Sequence, residues 1–84
     1  MRPEAFDVYP ILHEGKVYNI ITQLDLAFKE VHALLARLEE RGAFKITEED
    51  EEMGPGKMFT CEVLGVTFDV DVHGYEVIVY RRRV

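Results

Sequence analysis

The residues most able to do chemistry in this 84-residue chain are its acids, which fall into two groups. Five are consecutive, Glu48, Glu49, Asp50, Glu51 and Glu52. Carboxylates gathered on a loop supply the oxygen ligands that calcium or magnesium takes, so Glu49, Asp50 and Glu52 are candidate metal ligands. A specific calcium loop alternates its ligands and bends at a glycine; here the acids are contiguous, and Gly54 comes two residues after the last. A solvated acidic loop over about 48–57 satisfies the same residues. The second group, Asp69 and Asp71, is spaced to share one face of a strand, about 6.6–6.8 Å apart. With Glu76 placed across from Asp71, this cluster could hold a cation or raise one carboxyl's pKa for acid–base work. A polar outer sheet face has the same pattern.

Other reactive types are scattered. His13, His32 and His73 show no spacing that joins them as zinc ligands. Cys61 alternates inward with Phe59 and Val63, as an inert core thiol does, and a lone cysteine excludes an internal disulfide. Gly54-Pro55-Gly56-Lys57 lacks the phosphate-loop pattern, and neither a nucleophile elbow nor a dinucleotide fingerprint is present. Arg81, Arg82 and Arg83 form the one basic cluster, a candidate contact for an acidic partner or an edge protected against stray pairing. The expectation is a protein without catalytic machinery or a required cofactor, calcium or magnesium being the only ions its acids suggest.

Composition narrows the class. A 48% hydrophobic and 31% charged chain is globular rather than disordered. Without the five consecutive acids the net charge of −6 would be only −1, so the acidity is local. That sign argues against a general nucleic-acid binder. Apolar runs such as Leu34-Leu35-Ala36 are too short to span a bilayer, and the first residues lack the pattern of a secretory leader. One cytoplasmic domain over 1–84 is the expectation.

The elements that must position these residues follow from periodicity. Phe6–Leu12 and Val17–Ile21 read as a hairpin, with Pro10 marking an edge. Thr22-Gln23-Leu24-Asp25 matches a capping box, and Leu24, Phe28, Val31, Leu35 and Leu38 draw a stripe. These predict one helix over about 23–41, closed by Gly42. Ala43–Thr47 reads as a short strand. Phe59–Val63 and Val66–Val72 alternate with opposite parity, so Leu64-Gly65 is a two-residue turn or a glycine bulge, the turn being preferred. His73-Gly74 reads as a hairpin turn that pairs Val72 with Tyr75 and Val70 with Val77. The predicted fold is α+β, one amphipathic helix on an antiparallel sheet of five or six strands, in the order β-β-α-β-β-β-β.

The segment from Val31 to Phe44 resembles the recognition helix and following strand of winged-helix regulators. That resemblance implies two preceding helices and a wing at the acidic loop, which would meet phosphates with the wrong charge. The sequence-level expectation is therefore a noncatalytic interaction or regulatory module that pairs with another protein or with itself, a homodimer. Cation binding and winged-helix nucleic-acid binding are the alternatives.

Overall fold

The computed structural model describes residues 6–45 and 56–84. The fold is α+β. Its elements run β1 (Asp7–His13), β2 (Lys16–Thr22), α1 (Phe28–Glu40), β3 (Lys57–Val63), β4 (Val66–His73) and β5 (Glu76–Arg83). The five strands form one sheet in the order β1-β2-β5-β4-β3.

Three tight turns make the hairpins. Glu14-Gly15 and Leu64-Gly65 each put both central residues at positive φ, the pattern whose twist matches the flanking strands. The preferred turn at Leu64-Gly65 is thus present, with Val63 opposite Val66. The third turn is Gly74-Tyr75 rather than His73-Gly74, with Gly74 at φ +60° in the first central position. The pairing moves accordingly: Val72 faces Val77 and Val70 faces Val79. Because the shift is even, the apolar face survives it. Glu76 does not follow the expectation, for it lies opposite His73, and Ile78 faces Asp71.

The sheet is mixed, not wholly antiparallel. β2 runs parallel to β5, joined from Asn19↔Glu76 to Thr22↔Val79. Nothing local encodes that pairing, since the partners come from opposite ends of the chain.

The helix is shorter than its sequence suggests. Thr22 ends β2 instead of capping α1: its hydroxyl donates to the Val79 carbonyl (2.9 Å) and accepts the Leu24 N–H (3.0 Å). The chain then climbs off the sheet before turning helical at Phe28. Glu30 does the capping, accepting the Ala27 N–H at 3.0 Å. At the other end the Ala43 N–H reaches the Leu38 carbonyl and the Gly42 N–H that of Glu39. With Gly42 at φ +75°, this is a Schellman closure. The chain turns on through Phe44, so no strand forms at 43–45, and 46–47 lie outside the described residues.

Val31, Leu34, Leu35 and Leu38 bury the helix stripe against Tyr18, Ile20, Cys61, Phe68, Val70, Val77 and Val79. Phe28, expected in that stripe, is instead exposed and packs on His32. Among the described residues α1 is the only helix, so the winged-helix resemblance does not extend to the fold.

Candidate interaction surface

The buried core lies on the helix side of the sheet, and no described helix or strand covers the other side. The strand register assigns that open face. Val8 pairs with Ile21, Pro10 with Asn19 and Leu12 with Val17, all pointing away from α1. Across the seam Ile78 sits beside Ile21. Phe6 and Tyr80 meet edge to face at 6.5 Å and close one end of this apolar stripe. Val8, Leu12 and Val17 are each more than half exposed (58, 66 and 57%). A sheet packed on one side normally turns polar side chains to water on the other. Here β1, β2 and β5 present isoleucine, valine, leucine and aromatic rings.

The charged residues gather on the rest of the open face. Asp69 accepts from Arg83 (2.8 Å) and from the Thr60 hydroxyl (3.0 Å), with Arg81 3.9 Å away. Asp71 pairs with His73 at 2.9 Å, and its buried Oδ1 has no hydrogen-bond partner among the described residues. Gly56 packs so closely here that a β-carbon on it would overlap Asp71 Oδ1 and His73 Nε2. Asp69 and Asp71 thus share a face, as expected, but each is engaged by a separate cationic or histidine partner. Among the described residues no three His, Cys, Asp or Glu side chains gather as a metal site. Glu49, Asp50 and Glu52 lie outside the described residues.

The arginine run is divided by a β-bulge. Register slips between Asp69 and Val70, so Tyr80 has no partner on β4. Strict alternation from buried Val79 would turn Arg81 and Arg83 toward the helix. The extra residue reverses this: Arg81 and Arg83 join Asp69 on the open face, and Arg82 crosses to Glu30 at 2.9 Å. Glu30, nearly buried, therefore accepts from Ala27 with one oxygen and from Arg82 with the other.

Two histidines that the sequence left unrelated meet. His13, at the end of β1, and His32, on α1, stand with their Nδ1 atoms 2.6 Å apart. Tyr18 meets the His13 ring at an angle, and Phe28 covers His32. Nineteen residues of separation and two element types hid this pair; the only sequence signal was that each histidine falls at the edge of an amphipathic pattern.

Elsewhere the reactive groups are quiet. Burial pushes the Cys61 thiol up, partly offset by Arg41, whose guanidinium donates to the Thr60 carbonyl and lies over Phe59. Burial likewise raises Tyr18, and the Asp7 charge raises Tyr9. A groove of about 320 Å3 between β1 and the start of α1 is walled by Tyr9, Ile11, Leu26 and Phe28, with Asp25 its one charged residue. No described helix is long and apolar enough to cross a membrane. Comparison with known protein families, curated proteins and solved structures finds no match.

Proposed function

We propose that this chain is a noncatalytic interaction module that pairs with a second copy of itself through the open face of its sheet. The observation that carries the reading is the apolar stripe on the side that α1 does not cover, with Val8, Leu12, Val17 and Tyr80 exposed and Ile21 and Ile78 half-buried between them. Water-facing patches of this kind mark interaction sites. Five strands of seven or eight residues present a face roughly 24 by 25 Å. With side-chain relief this is of the order of the 800 Å2 that a standard interface takes from each partner.

A second copy fits better than an acidic or a basic ligand because the flank carries both signs. Asp69 stands with Arg81 and Arg83 at one end of β5 and Glu76 lies at the other, so a twofold-related copy running antiparallel can set opposite charges against each other. Face-to-face packing also covers the stripe without requiring a groove.

Sedimentation equilibrium over a wide concentration range tests this. The wild type is expected to dimerise, and Val17→Lys, which leaves the core untouched, to weaken the dimer at least about tenfold by burying a charge. A wild type that stays monomeric throughout, or a Val17→Lys dimer of undiminished affinity, would remove the open face as the interface.

A further inference from the structure

We propose that the groove between β1 and the start of α1 binds a small organic ammonium, a primary amine carried on a short chain from one aromatic ring. Tyr9 and Ile11 stand opposite the buried Ile20 and Tyr18, so β1 turns both to the helix side of the sheet. Leu26 and Phe28, where the chain climbs off the sheet into α1, form the facing wall, and the buried Ile20 and Val31 close the floor. The groove holds about 320 Å3, at the small end of ligand sites, which suits one ring and a short chain. Phe28 is 67% and Tyr9 45% exposed, so a ring inserted between them gains apolar burial and ring–ring contact.

Charge selects the rest of the ligand. Among the described residues Asp25 is the one charged side chain lining the groove. Lys29 and Arg82 share a neighbouring hollow with Asp25, yet no described cation forms an ion pair with it. The Tyr9 hydroxyl is pushed up first by the charge of Asp7, to which it also donates at 3.3 Å, and in smaller part by Asp25. Two carboxylates therefore flank the Tyr9 end of the groove. A neutral or anionic occupant strips water from Asp25 and returns nothing, whereas an ammonium offsets the loss with a charge-assisted hydrogen bond. The aromatic faces of Tyr9 and Phe28 favour a cation as well. Pro10 lacks an N–H midway along β1, which disfavours an added strand at this edge and leaves the groove to a compact ligand rather than an extended chain.

The test is titration of the isotope-labelled full chain with phenethylamine at about pH 7.5, where the amine is protonated, followed by amide chemical shifts. Saturable shifts at Tyr9, Ile11, Leu26 and Phe28 are expected, with a Kd of about 1 mM or tighter. Asp25→Asn, at an exposed position outside the helix, should weaken binding at least about fivefold. Phenylpropionate, which carries the same ring on a carboxylate, should bind the wild type at least about tenfold more weakly than the amine. A folded wild type that shows no saturation by about 10 mM amine overturns the site. So does an Asp25→Asn variant of equal affinity, phenylpropionate binding as tight as the amine, or shifts confined to Val8, Leu12 and Val17 on the open face.

Discussion

Replacing Glu30 with alanine removes two distinct supports, and their sum can be worked from the geometry. One carboxylate oxygen caps the helix through the Ala27 N–H at 3.0 Å, an interaction worth about 1 kcal/mol. The other meets Arg82 at 2.9 Å; a charge-assisted bond of this length is worth about 1.5–3 kcal/mol when buried. Arg82 is about a third exposed, so solvent screening reduces that share to about 1 kcal/mol. The expected loss for Glu30→Ala is about 2 kcal/mol, or roughly 8–16 °C in Tm for a domain of this size. Glu30→Gln keeps an oxygen for Ala27 and should lose about half as much. Urea unfolding of wild type, Glu30→Ala, Arg82→Ala and the double variant completes a cycle, with a coupling of about 1 kcal/mol expected. A coupling under about 0.3 kcal/mol would show that the bulge does not dock Arg82 on the helix, and would return all three arginines to the surface.

Three further outcomes follow from single contacts. Thr22→Val keeps the shape but strands the Val79 carbonyl and the Leu24 N–H, and should cost about 1–3 kcal/mol in urea midpoint measurements. Leu64 holds φ +52° while mostly exposed, so Leu64→Asn should stabilise the chain by about 0.5–1 kcal/mol; an unchanged or lower midpoint would refute the strain. Burial raises the Cys61 thiol, so its contribution to stability is complete below the unfolded thiol's pKa and is lost as pH climbs through the folded value. The urea midpoint should therefore fall on the alkaline side, more steeply in wild type than in Cys61→Ala, and thiol reagents should react at the rate of unfolding.

What could be read in the sequence was local. The alternation of Val66, Phe68, Val70 and Val72 reports a strand with one buried face, because period two has no other cheap meaning. Gly42 marks the helix end for the same kind of reason: only glycine closes a Schellman turn without strain. The misread features depend on distant neighbours. Thr22-Gln23-Leu24-Asp25 has the composition of a cap, yet the Thr22 hydroxyl is claimed by Val79, 57 residues away. The hairpin turn moved by one residue because Gly74 takes the first central position while the Tyr75 ring packs edge-on to Tyr18 at 5.3 Å. The bare sheet face was legible only as residue types. Leu12 and Val17 look like core until the register turns them outward. The histidine pair left only a faint trace, each ring falling at the edge of an amphipathic pattern, since strand and helix meet there only after folding.

The parallel joint between β2 and β5 divides the chain into two workshops. The β1–β2 hairpin with α1 can form from neighbours in sequence, and so can the β3-β4-β5 meander. Neither hides its own apolar side: the helix stripe of the first half lies on strands of the second, and Arg41 reaches over to the Thr60 carbonyl. Loop-closure entropy is therefore concentrated in one event, the meeting of Asn19–Thr22 with Glu76–Val79. The rate of that encounter, rather than the formation of any hairpin, sets the pace at which the whole domain assembles. Cooperativity has the same origin, because the seam and the core are completed in a single step.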